Sequence, residues 1–341
     1  MAKITLIIKL MRIYLPEWLA GWVTPNRERY RGAKIGAKAV AVGRLANYIR
    51  GTGPMPTVAE SRVQMAKMAG MLDRKGPALA RVEDIEVAGG SGPIRARLFS
   101  DHTGGPARPA MVYFHGGGFV QGDLDTHHDL CAKLAKWWGG VVIAIDYRLA
   151  PEHPYPAGVD DSVAAYLDVV RRAAELGVDP AFIGVGGDSA GGCFAAVVAQ
   201  QMRNAGGPVP RFQVLIYPVT DGHINSTSVN DLKDAYILPK ARMVWYRDMY
   251  AGEFRDFDDA KFSPLLADDF TGLPDSYIVT GGFDPLVDDG AGYAQKLQDA
   301  GVPVKYRHFA GQVHAFVNLT KVVPDGTLAL REIATWLRGL S

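Results

Sequence analysis

The sequence predicts an α/β fold with a mostly parallel β-sheet and helices on both of its faces. From Arg81 onward, short apolar runs alternate with segments of helical periodicity. Strands that are apolar throughout are typical of a parallel sheet covered on both sides. One such run, Phe182–Val185, leads through the turn Gly187–Gly191 (GDSAG) into a stretch of small residues. This pattern predicts a strand, a tight turn that carries Ser189, and a helix.

The first 80 residues are predicted to be helical. Two segments place apolar side chains three and four residues apart, as on one face of an amphipathic helix. These positions are Ala37, Val40, Ala41, Leu45 and Ile49 in the first segment, and Met65, Met68, Ala69 and Leu72 in the second. Gly51–Pro54 separates the two segments. We interpret the methionine stripe as ordinary core.

The chain begins with a basic and apolar stretch, Met1–Ile13. A signal peptide has an unbroken apolar centre, whereas Lys9 and Arg12 interrupt this one. We therefore expect a helix that packs on the protein or on a partner. A weak interfacial contact with a membrane and an export signal are the alternatives.

The elements after residue 80 follow in a regular order. The first strand is predicted at Val82–Val87. In the next, Ile94–Leu98, apolar residues alternate with Arg95 and Arg97, which indicates an antiparallel strand with one face in water. Further strands are predicted at Met111–Phe114, Val141–Ile145, Ile183–Val185, Val214–Tyr217 and Tyr277–Thr280, and helices at Asp129–Trp138, Val159–Leu176, Gly191–Met202 and Asp289–Ala300.

The chain ends in a strand and a helix. In Val304–Phe309, Lys305 and Arg307 alternate with Val304 and Tyr306, and charges on one side of a strand predict an edge of the sheet. The final helix is predicted at Thr327–Leu340.

Composition excludes several classes of protein. The chain has 341 residues and a net charge of +1, so there is no electrostatic reason to expect nucleic acid as a partner. No uninterrupted apolar stretch is long enough to span a membrane. The two cysteines, Cys131 and Cys193, exclude a disulfide framework and favour a reducing compartment, so we expect a cytoplasmic protein. We expect no metal and no cofactor, because no Cys/His cluster has zinc spacing.

Ser189 needs a base that accepts its proton before it can act as a nucleophile. In a strand–turn–helix elbow the partners follow in the order Ser, Asp or Glu, His. Three histidines follow Ser189. His223 comes too early to leave room for a carboxylate at a later strand end, and His308 lies inside the predicted edge strand. His314, in the loop after that strand, is therefore the predicted base.

The carboxylate that orients the base should follow the end of a strand. Asp284 does so, directly after the strand predicted at Tyr277–Thr280. Asp288 and Asp289 are the rivals, but they fit the first turn of the next helix, where acidic residues are favoured by the helix dipole. We therefore predict Asp284.

A tetrahedral oxyanion also needs hydrogen-bond donors. The run His115–Gly118 (HGGG) follows the strand Met111–Phe114 directly, and its glycines let the backbone approach a substrate oxygen. A phosphate-binding loop is the alternative, but the Lys-Ser/Thr and G-x-G-x-x-G patterns are both missing. The amide after the nucleophile, that of Ala190, is the further predicted donor. We interpret His115 as a residue that fixes the loop, and Asp188 as structural.

These motifs together resemble the hormone-sensitive lipase family, the bacterial family IV esterases of the α/β-hydrolase fold. Asp146–Ala157 and Ser263–Leu265 match the family as well, and the resemblance covers the chain from about Arg81 to the C-terminus. Its implications for individual residues are a catalytic triad of Ser189, Asp284 and His314, and an oxyanion hole of Gly116, Gly117 and Ala190. The chain departs from the family at Ala315, since glycine usually follows the histidine, and at Cys193, where asparagine is common.

The resemblance also implies a domain organisation. Residues 81–220 and 261–341 would form the catalytic domain. Residues 1–80 and the insertion 221–260, in which Arg242–Tyr250 is helical and rich in aromatic residues, would form a cap over an acyl pocket. Many relatives dimerise through the last strand, so we expect a homodimer.

We therefore expect a carboxylesterase that acts on short- to medium-chain esters, which are small-molecule substrates, through an acyl-enzyme. Two alternatives stay open. One is an amidase or deacetylase with the same triad. The other is a receptor of the same fold that binds a small ligand without hydrolysis, although such receptors tend to lose the histidine.

Overall fold

An eight-stranded β-sheet lies at the centre of the fold. The computed structural model describes residues 13–25, 27–50 and 55–340. Most of the N-terminal stretch Met1–Ile13 and all of the break Gly51–Pro54 lie outside the described residues. The strands of the sheet are β3 (Arg81–Gly89), β4 (Gly92–Ser100), β5 (Arg108–Phe114), β6 (Val141–Ile145), β7 (Val178–Asp188), β8 (Phe212–Ile216), β9 (Asp275–Phe283) and β10 (Val304–Val313). A separate ribbon pairs β1 (Arg29–Tyr30) with β2 (Ala33–Lys34).

The strand order is β10-β9-β8-β7-β5-β6-β4-β3. The strands from β5 to β10 pair in parallel, while β4 runs antiparallel to both β3 and β6. The predicted mostly parallel sheet and the antiparallel strand at Ile94–Leu98 are both confirmed. The strand predicted at Val304–Phe309 lies at the edge, but it continues to Val313 through a shift in register after Phe309.

Helices cover both faces of the sheet. The described helices are α1 (Glu17–Val23), α2 (Ala37–Arg50), α3 (Val58–Leu72), α4 (His128–Trp138), α5 (Ala157–Arg171), α6 (Ala173–Leu176), α7 (Ala190–Asn204), α8 (Thr227–Asp231), α9 (Lys240–Ala251), α10 (Val287–Asp299) and α11 (Pro324–Leu340). The single helix predicted at Val159–Leu176 is wrong, because Arg172 interrupts it. The Arg172 guanidinium donates to the carbonyl of Glu86 and to the carboxylates of Asp168 and Glu175.

Both faces of the sheet are buried, which explains why its strands are apolar throughout. In β5, Ala110, Val112 and Phe114 belong to the core on one face, and Met111 and Tyr113 belong to the core on the other. This division follows the two-residue period of a strand. Helices α5, α7 and α10 pack on the first face, and α4 and α11 pack on the second.

The predicted apolar face of α2 is buried at Ala37, Val40, Ala41 and Leu45. Helix α3 begins with a capping box, in which Thr57 and Glu60 satisfy each other's backbone amides. Met65 and Met68 both line a cavity. The interpretation of these methionines as ordinary core is therefore wrong for Met65, whereas Met68 also packs against the core on the second face of the sheet.

None of the described helices combines the length and the apolar character that a crossing of the bilayer requires.

Candidate active site

Ser189 lies at the sharp turn between β7 and α7, with backbone angles φ 55° and ψ −116°. Its N–H donates to the carbonyl of Ile216 on β8 at 2.8 Å, which holds the turn against the sheet. The left-handed φ of a non-glycine residue is a strained conformation that places the hydroxyl at the carboxyl end of the sheet. Gly191 permits this close packing, because a Cβ there would collide with the carbonyl of Phe114.

His314 and Asp284 lie beside Ser189, as the sequence predicts. His314 follows β10, and its Nε2 is 3.0 Å from the Oγ of Ser189. Its Nδ1 is 2.7 Å from Oδ2 of Asp284, which follows β9 and is fully buried. The N–H of Leu286 donates to the other oxygen of Asp284 at 2.9 Å. Three strand ends therefore supply one continuous line of hydrogen bonds, which can move a proton away from the serine hydroxyl.

The rival residues lie in other environments. His223 is paired with Asp258, and His308 contacts Thr280. Both lie away from the serine. Asp288 and Asp289 occupy the first turn of α10, as predicted.

Asp289 is a structural residue that holds the chain after β8. Oδ2 of its carboxyl group accepts the backbone N–H groups of Thr220 and Asp221, and burial raises the pKa of Asp289 to about 8.

The loop after β5 places its glycines against the cavity next to Ser189. The expectation that Gly116 is an oxyanion donor is wrong, because its N–H donates to the carboxylate of Asp188 at 2.9 Å. The amides of Gly117 and Gly118 have no acceptor among the described residues, and both glycines line the cavity. Ala190 is the first residue of α7, so its amide has no partner within the helix.

Asp188 is a buried carboxylate that holds this loop in place. Besides the Gly116 amide, it accepts hydrogen bonds from the Tyr113 hydroxyl at 2.8 Å and the Asn318 amide at 3.1 Å. His127 Nε2 lies 3.3 Å from it. Burial alone would raise the pKa of Asp188, but the charge of His127 and these hydrogen bonds lower it to about 2. The structural role predicted for Asp188 therefore includes the geometry of the loop.

His115 is buried beneath the same loop. Its Nδ1 lies 2.9 Å from the carbonyl of Gly116, and its ring stacks on Tyr147 with centroids 4.3 Å apart. Burial, together with the charge of His127, lowers the pKa of His115 to about 4. It is therefore neutral at neutral pH and fits the predicted role of fixing the loop.

Ser189 opens into a cavity of about 240 Å³. Helices α2 and α3 contribute one part of the wall, and α9 with the preceding chain contributes another. Its apolar lining residues include Ile49, Met65, Met68, Phe119, Ile224, Leu238, Met243, Tyr246, Tyr250, Phe262 and Leu286. Most of this wall is apolar, with a few polar side chains among the lining residues, so the cavity favours a ligand with a largely apolar body and its reacting group at the serine.

The sequence analysis missed three features of this site. Gly118 belongs to the same HGGG run as Gly116 and Gly117, so the sequence pattern does not distinguish the three glycines. Only the hydrogen bond from Gly116 to Asp188 does so. Arg242 lines the cavity although α9 appeared mainly aromatic. His127 could not be found from the sequence, because no pattern indicates that the residue directly before α4 lies next to Asp188.

Comparisons with known proteins identify the family and the fold. The sequence profile of an α/β-hydrolase-fold family, that of the hormone-sensitive lipase-like esterases, matches residues 111–318. The chain belongs to this family.

Several relatives match most of the chain. Esterase LipI of Mycobacterium tuberculosis is 42% identical over 252 residues, which are 73% of this chain and 79% of LipI. An ethyl acetate hydrolase of Pseudomonas putida is 34% identical, and the match covers 78% of this chain and 85% of that enzyme. One similar solved structure is that of an ester-hydrolase from the metagenome of Lake Arreo, in complex with a bipyridine phosphonate derivative. Its TM-score is 0.84 and its sequence identity is 40%. The match covers 88% of this chain and 97% of that chain.

Proposed function

We propose that this protein hydrolyses carboxylic esters through an acyl-enzyme on Ser189. The observation that carries the proposal is the line of hydrogen bonds from Asp284 through His314 to Ser189, at the floor of an apolar cavity. The names of the relatives, among them an esterase and an ethyl acetate hydrolase, support the same reaction class.

In the first half of the reaction, Nε2 of His314 accepts the proton of Ser189 as Oγ attacks the ester carbonyl carbon. The carbonyl oxygen becomes an oxyanion, which the amides of Gly117, Gly118 and Ala190 stabilise. The imidazolium is stabilised by Asp284. The tetrahedral intermediate then collapses, the bond to the alcohol oxygen breaks, and His314 returns the proton to the alcohol.

In the second half, a water molecule takes the place of the alcohol. His314 accepts its proton while the oxygen attacks the acyl carbonyl, and the same amides hold the second oxyanion. The second tetrahedral intermediate collapses, the bond between Oγ and the acyl carbon breaks, and His314 returns the proton to Oγ as the carboxylic acid leaves.

We propose that the acyl pocket lies under a cap to which the described parts of residues 1–80 and residues 221–260 contribute. This assignment is supported by the cavity lining, which includes Met65 on α3 and Met243 on α9. The small volume of about 240 Å³ favours short to medium acyl chains over long ones. A receptor without hydrolysis is disfavoured, because such a role has no use for a histidine at 3.0 Å from the serine.

Hydrolysis of p-nitrophenyl acetate, butyrate, octanoate and palmitate by the purified protein tests the proposal. We expect turnover that is fastest for the short and medium esters and that Ser189→Ala abolishes. An intact protein that cleaves none of them would contradict ester hydrolysis, and turnover that survives in Ser189→Ala would contradict the assigned nucleophile. Parallel assays with p-nitroanilides of the same acids test the amidase alternative.

We propose that a homodimer forms through β10, the edge strand of the sheet as the structure describes it. Gly36 donates to the carbonyl of Gly311 at 2.8 Å, so the chain near β2 covers the end of this strand. Among the described strands, Val304–Phe309 pairs only with β9, and its other side would pair with a second copy. Sedimentation equilibrium tests this proposal, since a mass of twice 36.9 kDa supports it and a monomer contradicts it.

A weak interfacial contact of the N-terminal region is also proposed. Trp18 and Trp22 on α1 are 70% and 82% exposed, and tryptophan favours the boundary between lipid and water. We expect the protein to pellet with anionic vesicles and the Trp18→Ala, Trp22→Ala variant to remain in solution. Equal pelleting of both would contradict the contact.

A cytoplasmic location is retained as a proposal. Cys131 and Cys193 are both buried and neither forms a disulfide. Fractionation of the native host tests the location.

A further inference from the structure

Arg242 is a buried cation in the wall of the cavity that contains Ser189. It lies on α9 and is only 9% exposed. The surrounding wall is largely apolar, with Met243, Tyr246 and Tyr250 on the same helix. An arginine side chain stays charged under all ordinary conditions, so a positive charge is fixed inside this cavity.

Two hydrogen bonds hold the guanidinium in one orientation. Nε donates to the hydroxyl of Tyr246 at 2.9 Å, and Nη2 donates to the hydroxyl of Ser61 on α3 at 2.8 Å. Ser61 in turn donates to the side chain of Gln121. Both direct partners are neutral hydroxyls, one from the same helix as Arg242 and one from α3.

No carboxylate forms an ion pair with Arg242 within the part of the chain that the structure describes, and its Nη1 has no acceptor there. Many arginines of the described fold are paired with a carboxylate, as Arg148 is with Asp161 at 2.8 Å. Arg247, which lines the same cavity, lies 2.8 Å from the carboxylate of Asp248. An unpaired buried charge is unfavourable, so a buried arginine is normally found with a counter-ion. The missing counter-ion of Arg242 is therefore expected from outside the chain.

We propose that Arg242 binds a carboxylate on the substrate, so that the protein prefers esters of dicarboxylic acids in which one carboxyl group is esterified and the other is free. This inference rests on the proposed ester hydrolysis and specifies the substrate class. The ester group lies at Ser189, and the free carboxylate accepts hydrogen bonds from Nη1 and from the remaining N–H of Nη2. Tyr246 and Ser61 are positioning residues in this proposal, because they hold the guanidinium in its orientation.

The test compares substrates that differ only in charge. The monoethyl esters of succinic, glutaric and adipic acid are assayed against analogues in which a carboxamide replaces the free carboxylate. We expect a ratio of kcat/KM, anion over carboxamide, of at least about tenfold for the preferred chain length, since a hydrogen bond to a charged group contributes that much or more. A ratio at or below one for all three lengths would overturn the proposal.

Variants assign the preference to Arg242. Arg242→Met, of similar length, should lower the ratio at least about tenfold, whereas Arg242→Lys should keep part of it because the charge remains. The matched control is Arg247→Met, which removes an already paired cation from the same cavity. Its ratio should stay within about twofold of the wild-type ratio, since the charge of a paired and more exposed cation is largely compensated. An equal loss in both methionine variants, or an unchanged ratio in Arg242→Met, would contradict the proposal.

A binding measurement separates this inference from the proposed function. Calorimetric titration of Ser189→Ala with monoethyl glutarate and with its carboxamide analogue reports affinity without hydrolysis. Tighter binding of the anion, lost in the Ser189→Ala, Arg242→Met double variant, supports the carboxylate site even if the wild type cleaves neither compound. Equal affinities for the anion and the carboxamide would overturn the carboxylate site at Arg242. If the wild type also cleaves the ester bond of both compounds at equal rates, ester hydrolysis stands and only the carboxylate site fails.

Discussion

The carboxylate of Asp188 accepts the backbone N–H of Gly116 at 2.9 Å and thereby joins the nucleophile turn to the glycine loop after β5. The residue next to Ser189 thus determines where the neighbouring Gly117 and Gly118 amides lie. Because Gly116 is occupied in this way, the proposed oxyanion donors are one residue further along the loop than the sequence alone suggests.

The first prediction concerns Asp188→Asn. An asparagine keeps only one oxygen for the donors that contact Asp188. When that oxygen stays with the Gly116 amide and Tyr113, the NH2 group faces the donors Asn318 and His127, so the side chain is repelled on that side and holds the loop less firmly. We expect kcat for a p-nitrophenyl ester to fall by about 10- to 100-fold, as expected when oxyanion donors are misplaced. Steady-state kinetics measure this effect. Asp101→Asn, which loses only a surface pair with Lys136, is the control and should retain activity.

The second prediction concerns acid stability. The pKa of Asp188 is lowered from 3.8 to about 2 in the folded protein. A lowered folded-state pKa stabilises the protein above the unfolded value, and this contribution is lost as the pH falls from about 4 to about 2. The contribution is roughly 2 kcal/mol. Urea unfolding at pH 5, 4 and 3 should show a steeper loss for the wild type than for Asp188→Asn, and parallel curves would contradict the assignment.

The third prediction concerns Ala315, the residue after His314, where the family resemblance implies glycine. Its φ is 61°, in the left-handed region that an alanine adopts at a cost. Ala315→Gly removes this strain but adds freedom to the unfolded chain, so we expect a net gain of at most about 1 kcal/mol. The melting temperature should rise slightly. Ala315→Val is the matched variant and should lower it, because a β-branched residue fits this conformation poorly. A higher melting temperature for valine would contradict the strain.

The fourth prediction concerns a buried ion pair between Lys133 on α4 and Asp73 at the end of α3, 2.7 Å apart. Burial raises the pKa of Asp73 and lowers the pKa of Lys133, although each group is the other's main counter-charge. Lys133→Met leaves Asp73 buried without its partner and should cost about 3–5 kcal/mol of unfolding free energy. Lys133→Met with Asp73→Leu should recover most of this loss. Denaturant titration measures both, and a stable single variant would contradict the pairing.

The sequence predicted the sheet well because its strands are buried on both faces and its motifs lie at strand ends. Ser189, Asp284 and His314 could be found from motif order, since parallel strands bring their carboxyl ends to one edge. The distinction between Gly116 and Gly118 could not be predicted, because it depends on the direction of a single amide towards Asp188. Arg242 was missed for a related reason. Periodicity shows which side of α9 is apolar, but the packing of α9 against α3 decides which polar side chain enters the cavity.

The last prediction concerns Asp284→Asn, for which the structure specifies the orientation of the new side chain. One oxygen of Asp284 accepts the N–H of Leu286 at 2.9 Å, and only an oxygen can do so. The asparagine oxygen should therefore stay there, which turns the NH2 group towards Nδ1 of His314. Nδ1 must then accept a hydrogen bond, so the proton moves to Nε2, and Nε2 can no longer accept the proton of Ser189.

We expect kcat for ester hydrolysis to fall by about 10⁴-fold with little change in folding, as for the loss of the orienting aspartate in a serine triad. Asp289→Asn is the matched control. Burial raises the pKa of Asp289 to about 8, so this group is mostly neutral at pH 7 and asparagine resembles it closely. Its activity should stay within about threefold of the wild type, because a neutral carboxyl differs little from an amide in charge. A fall of similar size in both variants would show that burial of the side chain, and not the tautomer of His314, sets the rate.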